Sequence, residues 1–393
     1  MANADPYEAR SHVVIPTTEP PSPSRMAYLD NLRAIAMLLG VYLHAALAYA
    51  APANSVWLAT DGGSSRMIDF SIWWIHLFRM SLFFAIAGYL GKMVFARKGV
   101  KQFIVGRLVR IVLPFAVFYP LLLGAMTAVF VFALTYLESP QGLMGMIAEA
   151  YEKGATEGSL ATEEAQKPGT MHLWFLYYLA YFTGLGIVGS LICHSKNRSI
   201  LRPLRTAKRF LEKMREWGWH HGIALCIPVL WVPAVMAAGM PLPAPESWVP
   251  TWWPFVFYGS FYLGGWILFG NEEILEPYRK GFLALLGFGL ILLVPYYVWM
   301  PNLDLSELDS LQKVRWDWQS AMVALMTAYL SLAWTLFGVA FGGTFFECAK
   351  SRASLYRRCI LLAPYLIHLP IVIFLQTLRY QRSGQWPSSC RWF

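Results

Sequence analysis

The chain has 393 residues, of which 57% are hydrophobic and only 14% charged, with 17 Trp and a formal net charge of +9. Soluble chains carry about 25% charged and 45–50% apolar residues, so these proportions exclude a soluble globular protein, a disordered chain, a nucleic-acid-binding module and a disulfide scaffold. What remains is an all-α polytopic membrane protein, in which the placement of positive charge matters more than its sum.

Residues 1–25 are polar and rich in Pro, Ser and Thr, without an apolar core or a small-residue cleavage site. They read as a disordered cytoplasmic leader, which keeps the first hydrophobic segment as a span. A helix crossing the hydrocarbon core needs about 20 mostly apolar residues. Nine segments qualify, near 30–52, 70–94, 111–136, 172–193, 222–239, 254–270, 281–300, 318–342 and 359–378. They are expected to be helices, because lipid leaves open backbone unsatisfied. With the N-terminus in the cytoplasm, the inside connections hold 21 Lys and Arg and the outside connections 5. That asymmetry predicts an N-terminus inside. The basic stretch 194–219 has helical apolar spacing and is expected to lie on the cytoplasmic membrane surface, whereas 137–170, with six Glu, is expected outside. The five Cys show no paired spacing, so neither a metal site nor a disulfide framework is expected. No internal repeat is visible, which weakens a transporter built on inverted repeats.

Ionisable residues inside spans are functional candidates by default, since each costs about 2.5–3.5 kcal/mol near the bilayer centre. Arg33 and His44 both fall in the first span. Eleven residues put them within about 20° on one helix face and about 16 Å apart along it. Arg33 lies toward the cytoplasmic end, where an anionic donor would arrive or where an arginine simply snorkels. His44 lies deeper, as a neutral imidazole able to take a hydroxyl proton or as a histidine satisfied between helices. His76 and Arg79 share a face of the second span, suited to an acceptor or to developing oxyanion charge, or else to an interfacial cluster with Trp73 and Trp74. His368 sits in PYLIHLP, where Pro364 and Pro370 are expected to break the helix and open backbone groups to a cavity. His172 is expected to cap or border the fourth span, and His194, His220 and His221 to lie unremarkably at the inner surface. No nucleotide-binding loop, GxSxG elbow or HExxH motif occurs in a suitable context.

The stretch RMAYLDNLRAIAMLLGVYLHAALAYA, with its Arg33-x10-His44 spacing, resembles the opening of the integral-membrane acyltransferase family 3. HLFRMSLFFAIAGYLGKMV (76–94), GVKQFIVGRLVRIVLPF (99–115), MHLWFLYYL (171–179) and APYLIHLPIVIF (363–374) follow in the family's order. Within the family, the HLFRM and HLWFLYYL forms look most like the glucans biosynthesis protein C branch, whose members are associated with succinylation of periplasmic glucans. The resemblance implies an O-acyltransferase of the bacterial inner membrane. It would move an acyl group, succinyl above all, from cytoplasmic acyl-CoA to a periplasmic glucan, with acyl-CoA as co-substrate and no further cofactor. O-acetylation of another exported polysaccharide and non-catalytic transport are the alternatives. By position, His44 would be the catalytic histidine and Arg33 its motif partner. Arg107 and Arg110 could then meet CoA phosphates, while His76 and Arg79 would face the acceptor or the thioester oxygen. Residues 26–378 form the expected acyltransferase domain. The family pattern has about ten spans against nine here, so 379–393 is expected to be an atypical or truncated tail.

Overall fold

A computed structural model describes residues 27–50, 57, 65–136, 169–194, 220–239, 244–299, 316–345 and 365–379. All regular structure among them is helical, and each of the nine apolar segments carries a helix. The helices are α1 (Ala27–Ala46), α2 (Arg66–Arg107), α3 (Leu113–Tyr136), α4 (Trp174–His194), α5 (His220–Ala238) and α6 (Trp253–Leu268). Then come the short α7 (Glu276–Lys280), α8 (Phe282–Trp299), α9 (Trp318–Phe345) and α10 (Tyr365–Arg379). By length and apolar composition, five described helical stretches suffice to cross a membrane, while the apolar parts of α5 and α10 are shorter. Large apolar side chains face outward, among them Leu230 at 73% and Ile291 at 75% exposure. Such an exterior suits lipid rather than water. The protein is a membrane protein.

The expected leader, the surface segment 194–219 apart from His194, nearly all of the loop 137–170 and the tail beyond Arg379 lie outside the described residues. Between the second and third spans, where a basic loop is expected at 95–110, the backbone stays helical. It turns once at Gly99, whose φ of 74° suits glycine. It then runs through a π-helical turn, Leu108–Val112, into α3. Basic side chains interrupt the hydropathy there, yet apart from the kink at Gly99 the backbone on both sides is helical.

The centre of the bundle is α2, which packs against α1, α4, α6 and α9. Its crossing with α6 is made by small residues used reciprocally. A Cβ at Gly88 would collide with the Tyr262 carbonyl oxygen, and one at Gly265 with the Ala85 carbonyl oxygen. In lipid, where apolar side chains gain little by leaving the solvent, such close backbone approach supplies the packing energy. The Ser331 hydroxyl donates to the Leu77 carbonyl at 2.7 Å, tying α9 to α2. Aromatic side chains of α4 and α6, including Trp174, Phe175, Tyr178, Phe257 and Tyr258, fill the core beside Phe84. This core places the ends of α1, α4 and α10 side by side.

Candidate active site

His44 lies in the last turn of α1, and its ring stacks on that of His368 from α10 at 4.9 Å between centroids and 7° between planes. His44 Nδ1 and His368 Nε2 are 2.7 Å apart. The proton order along this contact follows from its far end. His368 Nδ1 is 2.5 Å from the Tyr365 carbonyl oxygen, which can only accept, so Nδ1 carries the hydrogen. In the neutral ring His368 Nε2 is therefore an acceptor, and His44 Nδ1–H donates to it. His44 Nε2 is left with its lone pair and makes no hydrogen bond among the described residues, and the residue as a whole is half-buried. The pattern is that of an oriented base, in which a second group holds the far nitrogen and fixes the tautomer.

His172 completes a cluster, with ring centroids 6.2 Å from His44 and 5.2 Å from His368. It does not cap a helix, one of the roles its position in the sequence suggests, but is buried and donates Nε2–H to the Leu366 carbonyl at 3.0 Å. Leu366 can accept because the residue four positions later is Pro370, which has no N–H to offer it. Pro370 does not break the helix as expected: α10 runs through it, and the proline acts by freeing one carbonyl. Pro364 lies outside the described residues. The turn Met171–Leu173 that carries His172 begins with Met171 at φ 51°, a left-handed conformation costing about 1–3 kcal/mol for a non-glycine residue. Thr170 holds it in place, donating to the Glu246 carbonyl through N–H at 2.6 Å and Oγ1 at 3.0 Å.

Arg79 projects from α2 into the same region and is buried, and neither Nε nor Nη1 has a hydrogen-bond partner. Its guanidinium lies against Gly40, one turn before His44 on α1, where any side chain would collide with Nη1 and approach Tyr365 Cε2 to 2.9 Å. On the other flank Trp57 packs beside His44, with ring centroids 5.9 Å apart. Its indole N–H donates to Gln376 Oε1 at 2.9 Å, and Gln376 Nε2 donates to the Ala45 carbonyl at 3.1 Å, joining α10 to the end of α1. Residues 26–392 match the family model described as an acyltransferase domain of the acyltransferase 3 type.

The chain belongs to acyltransferase family 3. It is 30% identical over 230 residues to the glucans biosynthesis protein C of Salmonella schwarzengrund (strain CVM19633), covering 56% of this chain and 53% of that protein. To the protein of the same name from Escherichia coli (strain K12) it is 33% identical over 166 residues, covering 42% and 39%. The chain thus spans about half the length, or less, of these curated relatives. No solved structure matches it.

In this family member the seven residues singled out in the sequence fall into two groups. His44, His368 and Arg79 meet at the C-terminal end of α1, with half-buried His76 close enough to contribute to the electrostatic field at His44. Arg33 lies toward the other end of α1, where its charge and that of Arg110 are felt at Arg107. The Arg107 guanidinium rests 4.9 Å from the Phe103 ring centroid, while Arg110 is exposed on the π-helical turn. Among the described residues no three His, Cys, Asp or Glu are grouped to hold a metal ion. The sequence alone gives His172 only a capping or bordering role and does not single out Trp57 or Gln376. For His172 one signal was available: a proline six residues into α10 implies a carbonyl in want of a donor. Trp57 and Gln376 carry no such mark.

Proposed function

We propose that the protein transfers an acyl group, succinyl in the first instance, from acyl-CoA to a hydroxyl of an exported glucan at the bacterial inner membrane. The observation that carries this reading is the hydrogen-bond series Tyr365 carbonyl, His368, His44, which leaves His44 Nε2 as an oriented acceptor beside a buried arginine. In the proposed reaction the acceptor hydroxyl gives its proton to His44 Nε2 as its oxygen attacks the thioester carbonyl. The C–S bond then breaks, and the imidazolium returns the proton to the departing CoA thiolate. His368 Nε2 holds His44 Nδ1–H throughout, so the ring needs no reorientation between the two proton transfers.

Arg33, Arg107 and Arg110 are assigned to the CoA phosphates. Their guanidinium forks suit phosphate, and their charges gather at the end of α1 remote from His44. The eleven residues from Arg33 to His44 span about 16 Å of helix, a distance for the pantetheine arm to thread. Positive-inside asymmetry assigns the arginine end to the cytoplasm and the histidine end to the side of the glucan. The named relatives support a glucan acceptor.

His44→Ala tests the reading. Membranes carrying the variant at normal abundance are expected to give glucans without ester substitution, as read by mass analysis, while the purified variant still binds acyl-CoA. Glucans with normal ester content from cells expressing only this variant would remove His44 from the reaction. Wild-type protein that binds no acyl-CoA would point to transport instead.

A further inference from the structure

Arg79 brings a full positive charge into the His44 site. Yet among the described residues the groups that sense that charge are His44, His172, His368, Tyr258 and Tyr365, none of them a carboxylate. The side chain is 7% exposed, and Nε and Nη1 are buried without partners. A buried cation without a counter-charge is costly, and Gly40 on α1 leaves the space that this guanidinium occupies. Stabilising an oxyanion does not require such a group, since neutral donors suffice for a charge that exists only in the transition state. A permanent cation is matched by a permanent anion on the ligand. The CoA phosphates are assigned to the arginines at the other end of α1, which leaves the acyl group itself to supply that anion.

We infer that Arg79 binds a carboxylate at the far end of the transferred acyl group, so that the site selects the monothioester of a short dicarboxylic acid. The inference rests on the acyl-transfer reading above and assigns a residue to its donor specificity. Gly40, against which the guanidinium lies, precedes His44 by one turn, about 6 Å along the helix. In a four-carbon diacid the two carboxyl carbons are separated by three single bonds, about 4 Å at ~1.5 Å per bond. A thioester carbonyl at His44 Nε2 therefore leaves the distal carboxylate within reach of the guanidinium fork.

The test compares succinyl-CoA, its distal methyl ester and butyryl-CoA as donors to a short glucose oligomer, using the purified full chain in nanodiscs. Wild-type protein is expected to prefer succinyl-CoA over both neutral donors by about 100-fold or more in kcat/KM, because a buried polar site rejects an analogue that leaves it unpaired. Arg79→Met is expected to bring the three donors within a factor of a few of one another, and Arg79→Lys to keep part of the preference. Equal use of succinyl-CoA and butyryl-CoA by wild-type protein overturns the inference while leaving acyl transfer intact. So does an Arg79→Met variant that loses the same factor with every donor, the mark of an oxyanion role. Transfer from no donor at all overturns the acyl-transfer reading itself, and this inference with it. If Arg79→Met fails to fold, the donor series on wild-type protein decides.

Discussion

Replacing His368 by leucine removes the acceptor from His44 Nδ1–H while keeping an apolar side chain of similar bulk in α10. The 2.7 Å contact is then lost, the His44 tautomer is no longer set, and the ring can turn away from its stacked position. Leaving a buried donor without a partner costs about 1–3 kcal/mol. If that cost is borne in the transition state, kcat falls about 5- to 150-fold at 1.36 kcal/mol per decade. His368→Gln places a carbonyl oxygen where Nε2 accepts and should recover much of the loss, because it can take the same proton without titrating. The assay is single-turnover transfer of labelled acyl group from acyl-CoA, with acyl-CoA binding measured separately on the same preparations. Donor affinity is expected to stay near wild type in both variants. A His368→Leu protein with wild-type kcat would refute the orienting role, as would a glutamine variant no better than leucine despite equal thermal stability.

Two other changes test the supports of the site. Pro370→Ala restores an N–H facing the Leu366 carbonyl and so competes with His172 Nε2–H, while relieving a helix-interior proline worth about 3 kcal/mol in propensity. A higher melting temperature is expected together with a severalfold lower kcat; unchanged kcat would show that the freed carbonyl does not matter to the reaction. Gly88→Ala drives a Cβ into the Tyr262 carbonyl oxygen and should cost about 1–3 kcal/mol, read as a lower melting temperature in detergent. Gly264→Ala, one residue from the reciprocal contact but facing open space, serves as its control and should melt like wild type.

The spans were legible because uninterrupted apolar runs have one structural solution in lipid, and the shared face of Arg33 and His44 followed from helical repeat alone. The linkage of the second and third spans through Gly99 and the π-helical turn was not legible, since charged residues lower hydropathy whether or not the backbone remains helical. The pairing of His44 with His368 joins residues 324 positions apart and depends on how α1 and α10 meet. Arg79 was readable as a charge within a span, but its lack of a partner is a property of everything packed around it. The place of His172 at the start of an apolar run reads as a helix border, and its burial and its bond to the Leu366 carbonyl come from the neighbouring helix, which the sequence around His172 does not show.

The reciprocal glycine contacts between α2 and α6 have a consequence for altering donor choice. Each helix lodges a glycine against the other's carbonyl, so neither can slide or rotate past its partner without a backbone collision. Arg79 on α2 and Tyr258 on α6 are thereby held at a fixed spacing. Longer acyl chains are thus better sought by shortening side chains on α1 and α10, whose mutual contacts are made by replaceable side-chain groups.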